Sequence, residues 1–239
     1  MSELYDMINS PMVAKASSII RYSSSRLADP ESLAVHTHEV CMLGLIIIDR
    51  IKYVDSSENI DVGKYLEKAV LHDIEEVSTG DVPRPLKYSS TEVRRSLQKV
   101  ADIAATTLFQ DTFKYPDTYF HYWETSKSGK EGVLLKLVDS LVVLRKSLYE
   151  VDILGNKTML DVVNNAANLF TGYLNHSNTF TLSRDDSMLK DFESESVRRY
   201  LIKLMDEAVT LASTCLRDNK RVMSDQEEYV NAIHRGEYD

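Results

Sequence analysis

The sequence of 239 residues is poor in the residues that interrupt regular structure, with 8 glycines and 5 prolines. So few interruptions between long periodic segments favour helices over many short strands. Long apolar runs are also missing: the most apolar run, Val40 to Ile48, covers nine residues, whereas crossing a bilayer needs roughly 20. The N-terminal segment lacks the basic and apolar regions of a secretory signal. We therefore expect a cytoplasmic protein without membrane contact.

Basic clusters and cysteines are scarce as well. The formal net charge is −9, and no block rich in lysine and arginine occurs. Because a protein that binds a duplex usually neutralises phosphates with a basic face, nucleic acid is not an expected partner, whereas a small anion in a local basic pocket remains compatible with the sequence. Cys41 and Cys215 lie far apart within helical patterns, which indicates two reduced thiols and not a disulfide framework.

Apolar residues recur with helical spacing through most of the chain, and the pattern predicts an all-α fold. We expect residues 1–155 to form the core domain and residues 156–239 to form helices that pack on it. A polar stretch, 175–191, is predicted to be a loop. The helices are predicted at about residues 12–20, 30–53, 61–79, 90–110, 130–151, 157–175, 194–218 and 224–235.

Three of these predicted helices carry histidine or aspartate among their apolar residues. His36 lies on the apolar face of its helix, whereas His38, two residues further on, points to the opposite side. His72 and Asp73 are adjacent in the next helix, and Asp139 lies in a strongly apolar helix. A buried carboxylate is costly unless it is paired or bound to a metal. We therefore expect these helices to bring His36, His72, Asp73 and Asp139 together.

Two neutral imidazoles and two carboxylates carry a total charge of −2, which a divalent cation neutralises. Nitrogen and oxygen ligands without thiolate suit Mn, Co, Fe, Ni or Zn better than a structural zinc site. Each residue alone also has an ordinary explanation, such as a core histidine or an aspartate paired with Lys136 or Arg145. The ordered set on three helices favours a metal site whose bound water attacks phosphorus. His121 and His176 are interpreted as surface or packing residues.

The order of the four candidate ligands resembles that of the HD superfamily of metal-dependent phosphohydrolases. The segment LHDIEEVSTGDVPRPLKY, residues 71–88, resembles the bacterial 5′-deoxynucleotidases of the YfbR type and the related phage deoxynucleoside triphosphate hydrolases of the DatZ type. SLAVHTHEV, residues 32–40, and LLKLVDSL, residues 134–141, are similar to the first-histidine and last-aspartate helices of that family. The resemblance covers about residues 12–150.

This resemblance implies an HD-domain helical bundle that holds one divalent transition metal (Co, Mn, Zn, Fe or Ni), with Mg as an option for a polyphosphate substrate. It implies that Arg21 contacts the phosphate of the substrate, and that Glu76 and Asp81 act in catalysis. The further residues to which it gives a role are the substrate-binding Tyr22, Thr79 and Lys87 and the metal ligands His36, His72, Asp73 and Asp139.

The resemblance also implies a nucleotide substrate and a homo-oligomer, by default a dimer. The leading hypothesis is hydrolysis of a deoxynucleoside 5′-monophosphate to a deoxynucleoside and phosphate. A triphosphohydrolase that releases triphosphate from a deoxynucleoside triphosphate is the alternative, and a non-catalytic nucleotide-binding protein is the second. Two-metal HD phosphodiesterases are disfavoured, because they need extra histidines between Asp73 and Asp139, where only His121 occurs.

Overall fold

The computed structural model describes residues 3–87, 89–177 and 187–234, and the regular structure of these residues is helical. A π-helical turn, Tyr149–Ile153, and a 3-10 turn, Lys157–Met159, follow the ninth helix. The α-helices are α1 Glu3–Ile8, α2 Pro11–Ala14, α3 Leu33–Val54, α4 Val62–Leu71, α5 Glu76–Thr79, α6 Arg84–Lys87, α7 Thr91–Thr112, α8 Pro116–Glu124, α9 Gly129–Leu148, α10 Leu160–Asn175 and α11 Glu195–His234.

Helices α3 and α9 form the centre of the fold. They pack against each other, α4 packs on both, and α10 and α11 pack together on α9, while α11 also reaches α3. One continuous apolar cluster joins these five helices, with Ile48 of α3, Val138 of α9, Phe170 of α10 and Leu201 of α11 among its fully buried members. The burial of this cluster supplies the main driving force for folding.

A close approach between α3 and α4 fixes how these two helices are placed. Gly44 of α3 lies against Tyr65 of α4, and a Cβ atom at Gly44 would come within 2.0 Å of the Tyr65 hydroxyl oxygen. The Tyr65 hydroxyl is fully buried and donates to the Val40 carbonyl at 2.9 Å. Glycine is therefore required here for close packing, and the contact sets the separation between the helices that carry the two candidate histidines.

Side-chain caps define where the helices near the site begin. The Ser32 hydroxyl accepts a hydrogen bond from the Val35 N–H at the start of α3, and Asp61 accepts one from the Lys64 N–H at the start of α4. Such caps satisfy backbone donors that have no partner within the helix. As a result His36 lies in the first turns of α3.

The helix predicted over 61–79 is interrupted at the HD pair. Helix α4 ends at Leu71, and the backbone N–H groups of Ile74 and Glu76 bond to carbonyls three residues back, not four. These tighter turns rotate the chain between α4 and α5. The prediction of one continuous helix was therefore wrong, because hydrophobic spacing does not distinguish a regular helix from a tight succession of turns.

Other boundaries differ as well. The first predicted helix is restricted to α2. Helix α8 was not predicted. The two predicted C-terminal helices are one continuous helix, α11, because its sequence has no glycine or proline to end it. Of the predicted loop 175–191, residues 178–186 lie outside the described residues.

Within the described part of the chain, no helix combines the length and hydropathy needed to cross a membrane. Both cysteines are free thiols.

Candidate metal centre and substrate cavity

Three of the predicted ligands lie around one point at the centre of the fold. His36 comes from α3, His72 follows the last residue of α4, and Asp139 comes from α9. Their ligand atoms all lie within 4.8 Å of one another. The Asp139 Oδ1 atom is 3.1 Å from His36 Nε2 and 4.0 Å from His72 Nε2. The arrangement brings two imidazole nitrogens and one carboxylate oxygen together from three different helices.

The hydrogen bonding of these atoms fits a cation. His36 Nε2, His72 Nε2 and Asp139 Oδ1 are all buried, and among the described residues none of them has a hydrogen-bond partner. Buried polar atoms in folded proteins nearly always have a partner, and each one left without costs free energy. A divalent cation would satisfy all three atoms at once, and a set of two nitrogens and one oxygen is a normal transition-metal donor set.

The outer nitrogen of each histidine faces an acceptor that orients the ring. His72 Nδ1 is 2.7 Å from the Ala69 carbonyl; because a carbonyl only accepts, Nδ1 carries the proton and Nε2 keeps its lone pair for the metal. His36 Nδ1 is 3.4 Å from Glu31 Oε1, a polar contact without hydrogen-bond geometry, and Glu31 is itself buried. Such outer partners fix the tautomer and orientation of metal-binding histidines. Glu31 was not predicted from the sequence, in which its position just before the capped start of α3 is its only signal.

Asp73, the fourth predicted ligand, lies beside this group of three. Its Oδ2 atom is 3.2 Å from His72 Nε2 and accepts a hydrogen bond from Arg21 Nη1 at 3.0 Å. Burial raises the pKa of Asp73, but its contact with the His72 ring and the positive charges of Lys127 and Arg21 lower it by more. Asp73 therefore joins the candidate metal group to Arg21, and its role as a ligand stays a prediction.

Arg21 places a permanent positive charge next to the candidate metal group. Its backbone N–H donates to the Glu31 carbonyl at 2.9 Å, and its Nη1 atom is 3.6 Å from Glu76 Oε2. Burial lowers the pKa of Arg21, but the surrounding carboxylates of Asp73, Glu76 and Asp139 raise it by more. The guanidinium is thus held in place and charged, as an anion-binding group must be.

Glu76 and Asp81, the predicted catalytic acids, have different environments. Burial raises the pKa of Glu76, and the charge of Asp73 raises it further, to about 8, so that Glu76 is mostly protonated at neutral pH. Its Oε2 atom is buried and has no hydrogen-bond partner within the described residues. Asp81 lies in the loop after α5, where its Oδ2 atom accepts a hydrogen bond from the Ser23 N–H at 3.1 Å.

A cavity of about 560 Å³ opens above the candidate metal group. One end is lined by residues predicted for the site: Arg21, Tyr22, Asp73, Glu76, Asp81, Lys87 and Asp139. The other end is lined by one face of α10, which includes the apolar Val162 and Leu169 and the polar Asp161 and Asn165. The cavity thus combines a charged end with an apolar wall and a polar rim, as sites for small molecules commonly do.

Thr79 is placed apart from this cavity. It lines a neighbouring cavity of about 450 Å³ together with His72 and Trp123, and its hydroxyl donates to the Glu75 carbonyl at 3.2 Å. Lys87 and Lys127 line both cavities. Lys127 was not predicted, because it lies in a polar turn where no periodic pattern marks it.

Three further histidines are not part of this group of ligands. His38 is exposed on α3, and His121 and His176 are exposed too, which confirms the interpretation of the last two as surface residues. The choice of His36 over His38 as the inward-facing residue is confirmed in the same way, since His36 has no exposed surface.

Comparison with known proteins identifies relatives over most of the chain. A family model described as "5′-deoxynucleotidase YfbR-like" matches residues 10–180. A 5′-deoxynucleotidase of Cronobacter sakazakii is 28% identical over 151 residues, which are 59% of this chain and 72% of that protein. A 5′-deoxynucleotidase of Yersinia pestis is 28% identical over 140 residues, 55% of this chain and 68% of that protein.

Solved structures show the same fold. The crystal structure of an HD-domain phosphohydrolase from Listeria innocua has a TM-score of 0.63 and 20% identity, and the match covers 87% of this chain and 98% of that one. A protein from Pyrococcus horikoshii has a TM-score of 0.59 and 19% identity, with 87% and 99% covered. The all-α HD-domain fold expected from the sequence is thereby confirmed.

Proposed function

Because the chain belongs to the YfbR-like 5′-deoxynucleotidase family, we propose that this hydrolytic enzyme converts deoxynucleoside 5′-monophosphates to deoxynucleosides and orthophosphate. One observation carries the proposal: three buried ligand atoms, on His36, His72 and Asp139, lie within 4.8 Å of one another beneath a cavity that also contains Arg21. Such a juxtaposition provides for a metal and a phosphate side by side.

His36, His72 and Asp139 would hold one divalent cation, with Asp73 next to them as the fourth predicted ligand. When bound, the cation supplies a Lewis acid that polarises the phosphate and lowers the pKa of a water molecule. The nitrogen and oxygen donors favour Mn, Co, Fe, Ni or Zn. The Ala69 carbonyl and Glu31 keep both imidazoles in the orientation that binding requires.

Arg21 would bind the non-bridging oxygens of the phosphate. Asp73 and the Glu31 carbonyl fix its position, and the surrounding carboxylates keep it protonated. Because charge on these oxygens is redistributed as the ester bond breaks, a preorganised guanidinium stabilises the transition state without reorganisation. We expect Arg21 to contribute to the chemical step as well as to binding.

Glu76 would deliver the proton that the leaving 5′-oxygen needs. In the absence of a bound cation, burial and the charge of Asp73 raise the pKa of this carboxyl to about 8, and its Oε2 atom lies 3.6 Å from Arg21 Nη1. A positioned acid of this kind typically contributes 10²–10⁴-fold to rate. Asp81, which accepts the Ser23 N–H, would lie near the leaving group and hold the adjoining loop.

The nucleoside would extend from the metal end along α10. Asp161 and Leu169, both on α10, line the cavity, and their separation of eight residues corresponds to about 12 Å of helix. Val143 and Val162 supply an apolar wall for a base, and Asp161 and Asn165 supply polar groups at its edge. These dimensions suit a mononucleotide.

The proposal is tested by incubating the protein with deoxynucleoside mono- and triphosphates in the presence of Mn, Co, Mg or Zn. We expect orthophosphate and deoxynucleoside from the monophosphates, and loss of this activity and of bound metal in His36→Gln. His38→Gln is the matched control, because His38 is exposed on the same helix, and it should behave as wild type. Release of triphosphate instead would show the alternative triphosphohydrolase, and the absence of any hydrolysis would overturn the proposal.

A further inference from the structure

The segment between Arg21 and Ser32 forms a closed loop at the edge of the substrate cavity. Its two ends are joined by an isolated antiparallel bridge between Ile20 and Ser32 and by the hydrogen bond from the Arg21 N–H to the Glu31 carbonyl. Ser24, Ser25 and Arg26, near the tip of the loop, line the cavity. We call residues 21–32 the rim loop.

The conformation of the rim loop is not one that its own sequence favours. Tyr22 has a φ of +58°, in the left-handed region that residues with a side chain seldom adopt. Such a conformation is strained for a residue with a side chain and persists only where the surroundings impose it. Beside Tyr22 the Ser23 N–H donates to Asp81, and a second set of contacts from outside the loop holds its C-terminal part.

Glu150 is the centre of these contacts. It lies in the π-helical turn after α9, its side chain is fully buried, and it accepts hydrogen bonds from the N–H groups of Ala28 at 2.8 Å and Asp29 at 2.9 Å. Lys146 Nζ lies 3.1 Å from the same carboxylate, and the Asn156 amide donates to it at 2.6 Å. One carboxylate thus holds two consecutive backbone donors of the rim loop.

Asn156 extends the same network to the tip of the loop. Its amide also donates to the Arg26 carbonyl at 2.8 Å, and the Thr158 hydroxyl donates to that carbonyl at 3.2 Å. Glu150 therefore binds Asn156 and the backbone of residues 28–29 of the rim loop. Asn156 and Thr158 bind the carbonyl of Arg26, which lines the cavity. All three residues precede α10.

Glu150 follows the helix that carries Asp139, about three turns further along the chain. The network thus attaches the cavity edge to the element that supplies a candidate metal ligand. We propose that Glu150 is a positioning residue, which sets the distance between the rim loop and the metal end of the cavity and thereby the affinity for the nucleoside part of the substrate. This inference rests on the proposed function.

The phosphate end should not depend on Glu150. Arg21 is held at the base of the loop by Asp73 and by the Glu31 carbonyl, and neither contact involves Glu150. Releasing residues 28–29 would move Ser24 to Arg26, which line the cavity and, through Arg26, contact Thr158 just before α10, and leave the Arg21 guanidinium in place. The two ends of the substrate should therefore respond differently to a change at Glu150.

The test compares Glu150→Gln with wild type. Glutamine has nearly the same shape, but its NH₂ group would face N–H groups from which the carboxylate now accepts hydrogen bonds. Two donors would then lie against each other. We expect the KM for a deoxynucleoside 5′-monophosphate to rise about tenfold with kcat changed less than about threefold, which is the result of lost ground-state binding. The inhibition constant of orthophosphate, which needs only the metal end, should stay at the wild-type value.

Glu58→Gln is the matched control. Glu58 is a second buried carboxylate that binds a lysine, Lys130, and a backbone donor, the Ser194 N–H, and it does not line the cavity described above. It should lose stability as Glu150→Gln does, yet keep the wild-type KM. Should Glu150→Gln fail to fold, Asn156→Ala keeps the Glu150 carboxylate but removes the amide bonds to the Arg26 carbonyl and to Glu150, and it should raise KM severalfold.

Two outcomes would overturn the inference: an unchanged KM in both Glu150→Gln and Asn156→Ala, or an equal loss of affinity for orthophosphate and for the nucleotide. If wild type hydrolyses no deoxynucleotide, the proposed function fails separately. The inference is then tested by calorimetric binding of a deoxynucleoside 5′-monophosphate and of orthophosphate to the Mn²⁺-loaded protein, with the same split expected in the dissociation constants.

Discussion

Glu31 offers a sharp test of how the candidate metal centre is built. It is buried, it is not itself in the group of three ligands, and its Oε1 atom is 3.4 Å from His36 Nδ1 and 3.7 Å from Arg21 Nε. In Glu31→Gln the side chain keeps its shape and loses its charge. The His36 ring would then lose the carboxylate that orients it and raises its basicity as a ligand.

Outer partners of metal-binding histidines typically contribute 10–100-fold to metal affinity. Glu31→Gln should therefore weaken Mn²⁺ binding by about 10–100-fold, or about 1.4–2.7 kcal/mol, measured by calorimetry or by competition with a chelator. Glu39→Gln is the control, because Glu39 lies on the same helix and pairs with Arg145 at the surface. Equal Mn²⁺ affinity in Glu31→Gln and wild type would refute the proposed role of Glu31.

Three further predictions follow from the packing and the charges. Gly44→Ala should destabilise the protein by at least about 1–3 kcal/mol in urea unfolding, because its Cβ would overlap Tyr65; Gly172→Ala, where the described residues leave open space, should be neutral or slightly stabilising. Burial raises the pKa of Glu150, but the hydrogen bonds it accepts lower it to about 2. Its stabilising contribution is thus present above the unfolded pKa of about 4.5 and is lost as pH falls toward 2, so wild type should lose on the order of 3 kcal/mol more than Glu150→Gln over this range in pH-dependent unfolding. Arg21→Lys should lower kcat/KM about 100-fold in the phosphate-release assay, because lysine lacks the planar fork that binds two oxygens; a KM change alone would contradict a role in the chemical step.

The placement of His36 and Asp139 in the candidate metal centre was predictable from the sequence for an energetic reason. A histidine or carboxylate on an apolar helix face is costly unless something compensates for it, so His36 and Asp139 stood out from their neighbours. The helical period also separated His36 from His38 correctly. The pattern therefore identified which residues face inward, and the fold brings them together.

Periodicity gave no account of the local geometry at the HD pair. The turns after Leu71 depend on backbone bonds over three residues and on the contact of His72 with the Ala69 carbonyl, and these change direction without changing hydrophobic spacing. Without them His72 and Asp73, which are successive residues, would diverge by about 100° on a regular helix. The convergence of the two side chains thus depends on these local turns, which hydrophobic spacing does not indicate.

Residues that act through other residues were not predictable at all. Glu31 and Glu150 are acids near helix ends, where most acids are exposed and need no partner. Their roles depend on backbone donors and ring nitrogens that come from distant parts of the chain, such as the Ala28 N–H bound by Glu150. Only a three-dimensional structure shows such pairs, because neither member is unusual in its own sequence context.

The most direct test of the metal centre is a crystal of the protein soaked with Mn²⁺ and measured near the Mn absorption edge. We expect one strong anomalous peak between His36 Nε2, His72 Nε2 and the Asp139 carboxylate, at about 2.0–2.3 Å from each ligand atom. A peak bound by other residues, or no peak between the two imidazoles at saturating Mn²⁺, would contradict this expectation.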